Sequence, residues 1–105
     1  MKRLVLAFSC AAFTSGAAHA EVFASIDCSE FGEFALIALD ARHAGAPIGD
    51  LKRDMLGDIS DKSARSVFEN VIDAAYALEL ETEADAADAQ LEGFTADMIS
   101  FCEKN

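Results

Sequence analysis

Cys28 and Cys102, which lie near opposite ends of the chain, carry its most reactive side chains. Two thiols can form a disulfide in an oxidising compartment, bind a metal, or work as a redox pair. A CxxC spacing or a second cluster of ligands would favour a metal or redox role, and the sequence has neither. We therefore expect a disulfide, which would close a loop long enough to contribute roughly 4 to 5 kcal/mol of stability.

Carboxylates are the most abundant charged groups in the sequence. Four of them recur at steps of four, three and four residues along the last predicted helix: Glu81, Asp85, Asp88 and Glu92. This spacing predicts a ridge of like charges on one helix face, which is usually a solvated surface but also suits a cationic partner or weak divalent-cation binding. Because the chain has 19 acidic residues, a carboxylate pair spaced for glycoside hydrolysis can arise by chance.

Three further side chains have interpretable positions. His43 lies near the end of the first predicted helix, where it favours the helix dipole more than it suggests a general base. Arg42 falls on the apolar face of that helix, so it needs a partner if it is buried. That partner is a set of carbonyl groups at a helix end, a carboxylate or the ring of Tyr76; alternatively, Arg42 and Tyr76 form the lip of a ligand groove. We expect no catalytic residue, no metal and no cofactor.

The first 20 residues have the features of a secretory signal peptide. Met1 to Arg3 is cationic, Leu4 to Phe13 is apolar, and Ala18 to Ala20 is a small-x-small triplet. The apolar stretch has about ten residues, whereas a membrane-spanning helix needs about twenty, which argues against a retained anchor. We expect cleavage after Ala20, loss of Cys10 with the leader, and a periplasmic or secreted single domain at 21–105.

The charge balance restricts the partners. The whole chain has 8 basic and 19 acidic residues, and removal of the leader takes away Lys2 and Arg3 but no acid. The formal net charge of −11 thereby becomes −13. Such a chain repels nucleic acid and anionic lipid, so we expect neither nucleic-acid binding nor membrane insertion, and a cationic protein is the favoured partner.

Helical periodicity runs through the rest of the sequence, and no stretch alternates as a half-buried strand would. Asp27 is placed to cap a first helix that Gly45 stops, and residues 50–58 form a short second helix. Ser60 or Asp61 would cap a third helix, and Thr82 a fourth. Residues 21–25 are predicted to be a loose lead-in.

The apolar positions predict an all-α fold, a small four-helix bundle with one short helix. Leu36 and Ile37 widen the apolar face of the first helix. If the first and last helices run antiparallel as neighbours, Cys28 and Cys102 lie at the same end of the bundle. The space between them would be filled by aromatic rings: Phe31, Phe34, Phe68, Phe94 and Phe101.

Four spaced features resemble a diffuse class of small exported, cysteine-bookended helical proteins of bacteria and phage-associated elements. They are a cysteine opening the first helix, Arg42 three residues before Gly45, Ala75-Tyr76 closing the third helix, and Phe94 eight residues before Cys102. The class often has a proline shortly after the Ala-Tyr pair, where this chain has Leu78-Glu79-Leu80. The resemblance implies a disulfide-closed helical domain of no established function and carries over no catalytic residue.

Together these observations favour a binding or inhibitor-type module. The alternative is a periplasmic stress or holdase-like protein, which would have to expose apolar surface as its carboxylates are protonated. An enzyme is the least favoured class, because the arrangements needed for nucleophilic catalysis are poorly supported.

Overall fold

A computed structural model describes residues 22–105, and all regular secondary structure in this range is helical. The four main helices are α1 (Cys28–His43), α2 (Ile48–Leu56), α3 (Lys62–Ala77) and α4 (Ala84–Lys104). The all-α prediction, with one short helix and a disulfide between the first and last helices, is confirmed. The predicted signal peptide lies outside the described residues.

Short polar side chains start two of the helices, as the sequence predicts. The Asp27 carboxylate accepts hydrogen bonds from the backbone N–H groups of Ser29 at 2.9 Å and Glu30 at 3.3 Å. The Asp61 carboxylate accepts one from Ala64 at 2.8 Å, so Asp61 rather than Ser60 caps α3. Each bond satisfies a backbone donor that the first helical turn leaves without a partner.

Gly45, two residues after the end of α1, has the left-handed conformation, with φ of +92°. A side chain at this φ would be strained, so glycine is the residue that allows the chain to turn here. The turn leads directly to Pro47 and the start of α2.

Two helix starts differ from the prediction. Helix α2 begins at Ile48, two residues earlier than expected, because the fixed φ of Pro47 already suits a helix start and its carbonyl accepts the N–H of Leu51 at 3.1 Å. Helix α4 begins after Glu83, whose carbonyl accepts the N–H of Ala87 at 2.8 Å. The prediction that Thr82 caps α4 was wrong, because the extended segment before α4 continues one residue further.

Helix α1 is the centre of the bundle. It makes its most extensive contacts with α4 and α3, while α2 packs mainly against α3. The disulfide joins the first residue of α1 to the last turn of α4, with a Cα–Cα distance of 5.5 Å, so the two helices run antiparallel. The predicted bundle closure is therefore present.

At Gly32, α1 packs directly against side chains of α4. A Cβ atom at this position would lie 2.6 Å from Cδ1 of Ile99, which is well inside van der Waals contact. The absence of a side chain lets the two helices approach, in the way that small residues allow close helix packing.

The core is continuous with a helical turn that precedes α1. Phe31, Leu39 and Ile72 are the largest fully buried side chains, and Phe23 in the turn at 22–24 is only 5% exposed. The prediction of a loose lead-in was wrong for this turn, because burial of one phenyl ring outweighs the weak helical signal of so short a segment.

Three apolar side chains are more exposed than the sequence predicts. Leu36 and Ile37 are 38% and 55% exposed on the outer side of α1, and Phe101 is 47% exposed near the end of α4. The expectation that these residues lie in the interior was wrong, because the neighbouring helices leave the outer side of α1 uncovered and α4 makes few contacts with α3. No helix among residues 22–105 is both long enough and apolar enough to cross a membrane.

Candidate functional site

Helices α3 and α4 flank α1 but make few direct contacts with each other. A pocket of about 200 Å³ opens in the space between them. We call it the α3–α4 pocket, and its lining consists of Phe23, Phe31, Val67, Asn70, Val71, Ala74, Met98 and Phe101. The turn at 22–24, α1, α3 and α4 each supply at least one of these residues.

Aromatic rings form one side of the pocket. Phe23 packs edge-to-face on Phe31 and on Phe101, with 5.5 Å between ring centroids in both pairs. Phe31 also packs against Phe68, with 5.4 Å between the ring centroids. The positive edge of one ring meets the negative face of the next, which is a favoured geometry for phenyl groups and holds this wall in place.

Polarity divides the pocket into an interior and a mouth. Phe31 and Val71 are buried, whereas Asn70 and Phe101 are exposed. The carboxamide of Asn70 is the single polar side chain of the lining, so the pocket offers dispersion contacts inside and one amide at its edge. This arrangement suits binding of an apolar group rather than acid–base or nucleophilic chemistry.

Arg42 and Tyr76 are close together, with the guanidinium carbon 5.6 Å from the centroid of the ring. Nη1 of Arg42 donates to the carbonyl of Ala75 at 2.8 Å and also to that of Leu78. The hydroxyl of Tyr76 donates to the carbonyl of Ala46 at 2.5 Å. Carbonyl groups at the end of α3 and the Tyr76 ring are therefore the partners of Arg42. Both are among the partners that the sequence predicts for a buried Arg42.

The predicted acidic ridge is only partly on a helix. Asp85, Asp88 and Glu92 are exposed and share one side of α4, but Glu81 lies in the connection before it. The backbone N–H of Glu81 donates to Oε1 of Gln90 at 3.3 Å, which keeps this segment extended beside α4. The prediction of four residues on one helix was wrong for Glu81, and the exposed set Asp85, Asp88 and Glu92 is called the α4 acidic face below.

Gln90 was not predicted to have a role. Its Nε2 donates to the carbonyl of Glu79 at 2.8 Å, and its Oε1 lies 3.0 Å from Nε2 of His43. One side chain thus ties the α3–α4 connection to the last turn of α1. A glutamine among acidic and alanine residues of a helix gives little signal for such a contact, because all the partners are distant in sequence.

Ion pairs within residues 22–105 all involve α2. Nζ of Lys52 lies 2.8 Å from Asp73 and 3.0 Å from Glu69, and Arg53 lies 2.5 Å from Asp50. The hydrogen bonds from Lys52 to Asp73 and to Glu69 raise the pKa of Lys52 above the usual lysine value, because both carboxylates favour the charged amine. The two contacts of Lys52 attach α2 to α3, whereas the pair of Arg53 and Asp50 lies within α2.

The two predicted thiols are joined in the disulfide, which leaves neither as a metal ligand or nucleophile. Within residues 22–105 there is no group of three or more histidine, cysteine, aspartate or glutamate side chains placed to hold a metal ion. Comparison with protein-family models, curated proteins and solved structures finds no match.

Proposed function

We propose that this chain is an exported, acidic, disulfide-closed binding or inhibitor-type module that docks a cationic partner protein on the α4 acidic face. The export part of the proposal is supported by the leader-like residues 1–20 and by a disulfide, which persists in oxidising compartments such as the periplasm or the extracellular space.

The observation that carries the proposal is the separation of charges. Asp85, Asp88 and Glu92 are exposed and make no ion pair within residues 22–105, whereas Lys52 and Arg53 on α2 are both paired. Helix α4 as a whole has five acidic residues and one lysine, Lys104. Its negative charge is therefore balanced by few bases of the chain itself and is available to a basic partner.

The spacing of the carboxylates fits a protein partner. Asp85 and Glu92 are seven residues apart, which is about 10 Å along a helix at 1.5 Å per residue. Like charges three and four residues apart repel by a few tenths of a kcal/mol, and a partner that supplies lysine or arginine side chains would relieve this repulsion. An extended negative surface would also accelerate encounter with such a partner.

The rigidity of the surface favours binding as well. Helix α4 is attached to α1 by the disulfide at its end and by the contact of Gln90 with His43 nearer its start. A partner that docks on a surface already fixed in this way loses little additional conformational entropy.

The test compares two triple variants that change charge equally. Asp85→Asn, Asp88→Asn and Glu92→Gln remove the α4 acidic face, and Asp54→Asn, Asp58→Asn and Glu79→Gln remove three exposed acids elsewhere. The wild-type protein would first be used to isolate a partner from the native envelope fraction by cross-linking, and association rates would then be measured by surface plasmon resonance at increasing salt.

We expect the first triple variant to slow association roughly tenfold at low salt and the matched control to slow it much less. For wild type, the rate should fall as salt screens charges beyond a Debye length of about 8 Å. Equal effects of the two triple variants, or binding that salt does not change, would contradict docking on α4. Binding of unfolded clients that neither triple variant affects would instead favour the holdase-like alternative.

A further inference from the structure

We propose that the α3–α4 pocket binds a small molecule with one aromatic ring and a short cationic substituent, an arylalkylamine. The site is separate from the α4 acidic face, because none of the three residues of that face lines the pocket. Binding in this pocket can therefore be tested without the proposed partner protein.

The size of the pocket selects a single ring. An apolar cavity of about 150 Å³ lined by Leu, Ile and Phe side chains binds benzene, and the α3–α4 pocket has about 200 Å³. The additional space accommodates a chain of one or two carbons. Drug-sized ligands occupy pockets of roughly 300 to 1,000 Å³, so a fused ring system or a long acyl chain would extend out of this site, whereas a single ring fits inside it.

The interior chemistry favours an aromatic guest over an aliphatic one. Phe23, Phe31 and Phe101 line the pocket, and Phe23 already packs edge-to-face on both of the others. A guest ring can add one more edge-to-face contact to this series. The thioether of Met98 on α4 is a further favourable neighbour for an aromatic ring.

The mouth of the pocket determines the charge of the guest. Asn70 and Phe101 are exposed there, and Asp97 lies one turn before Phe101 on the same side of α4. Lys104, one turn after Phe101, is the single base of this helix against five acids, and the chain carries a formal charge of −11. An ammonium group at the mouth is therefore favoured over a carboxylate by the excess of acids on α4, of which Asp97 is one turn from Phe101, and it can also gain from the Asn70 carbonyl oxygen and from the Phe101 ring.

The experiment uses three probes of nearly equal size on the oxidised full-length exported protein: 2-phenylethylamine, 2-phenylethanol and phenylacetate. Binding is followed by NMR through the methyl signals of Val67, Val71, Ala74 and Met98, which line the pocket. We expect saturable shifts of these signals, with the amine binding roughly tenfold more tightly than phenylacetate at low salt and the alcohol between them.

Two variants test the location and the charge preference. Ala74→Leu fills the pocket and should weaken amine binding at least tenfold, whereas Ala96→Leu, the same change at an exposed position of α4 outside the lining, should leave it unchanged. Asp97→Asn, an exposed change that leaves the packing intact, should reduce the preference for the amine over the alcohol severalfold without weakening the alcohol.

Three outcomes would overturn the proposal. They are the absence of saturable shifts at the pocket methyl groups with every probe, equal binding of phenylacetate and the amine, and unchanged amine binding in the folded Ala74→Leu variant. If Ala74→Leu does not fold, the probe series on wild type and Asp97→Asn decides the question without it.

Discussion

Helix α4 has two neighbours in this bundle, α1 on one side and α3 on the other, and it packs against them differently. Against α1 it is attached at one end by the Cys28–Cys102 disulfide, comes close at Gly32, and is joined near the other end through Gln90 and His43. Against α3 it makes few contacts, and the space between is lined by aromatic rings and left partly open.

This difference shows how a small domain can keep a pocket. Closing every helix contact would bury more apolar surface and add stability, at roughly 25 cal/mol for each Å² removed from water. A disulfide and a close helix crossing stabilise one side of α4 strongly enough that the other side can remain open. Phe101, whose ring is exposed at the α3–α4 pocket, is adjacent in sequence to Cys102. The pocket therefore begins beside the disulfide that joins α4 to α1.

Removal of the disulfide, on the side of α4 that packs against α1, should have the largest effect on stability. Cys102→Ser is expected to lower the free energy of unfolding by about 2 to 5 kcal/mol, because the unfolded chain regains the freedom of a long loop. Urea denaturation monitored by circular dichroism measures the change, and hydrogen exchange should show the greatest loss of protection in the last turns of α4. Cys28→Ser and chemical reduction of wild type are the matched controls and should give the same loss, so a reduced wild type as stable as the oxidised protein would contradict the role assigned to the bond.

A smaller effect on stability is expected at Gly32, where α1 packs directly against α4. In Gly32→Ala the new methyl group should cost at most about 1 to 3 kcal/mol of stability, because it overlaps the end of the Ile99 side chain, which must shift. Alanine also brings a gain of about 1 kcal/mol to a helix interior, so the net loss is expected to be up to about 2 kcal/mol. Thermal unfolding measures the sum of both terms.

Gly93→Ala is the matched control, since Gly93 lies within α4 and a Cβ there meets nothing within 4 Å. It should stabilise the protein by up to about 1 kcal/mol. If the two alanine variants change stability in the same direction, the close approach at Gly32 is not what holds α1 and α4 together.

The smallest effect on stability is expected between α2 and α3, which are joined by ion pairs of the half-buried Lys52. Because Asp73 and Glu69 raise the pKa of Lys52 above its usual value, its contribution is fully present below about pH 10.5 and is lost as pH rises through the higher folded-state pKa. Lys52→Gln should therefore have a lower melting temperature than wild type at neutral pH, and the difference should shrink at strongly alkaline pH. Lys62→Gln, which changes an exposed lysine at the start of α3, should not reproduce this dependence. A wild-type advantage over Lys52→Gln that is constant with pH would contradict the assignment.

The closed side of α4 was largely predictable from the sequence. The periodicity of α1 and α4, the cap at Asp27 and the stop at Gly45 are local features, and two cysteines at the ends of antiparallel helices indicate the disulfide. The start of α2 at Ile48 was missed by two residues, because a proline can precede a helix as readily as it can end one.

The open side was not predictable in the same way. Apolar spacing assigned Phe101 to a buried face, but it does not say how far apart α3 and α4 lie. Phe23 belongs to a single helical turn, which periodicity cannot detect, and its burial depends on partners from α1 and α4. Three of the four carboxylates in the predicted ridge lie on α4, and the exception, Glu81, lies in the extended connection, where its N–H donates to Gln90.

The position of the disulfide also affects what proteolysis does to this protein. Cys28 and Cys102 are separated by 74 residues, so a single covalent ring contains nearly all of the helical structure. A protease that cuts once inside the ring, for example in the connection at 78–83, opens it without releasing a piece. The cut protein would be one water heavier, would run as one species until it is reduced, and would keep both parts of the fold together. In a compartment where proteases act on exposed loops, cleavage and loss of the domain are therefore separate events.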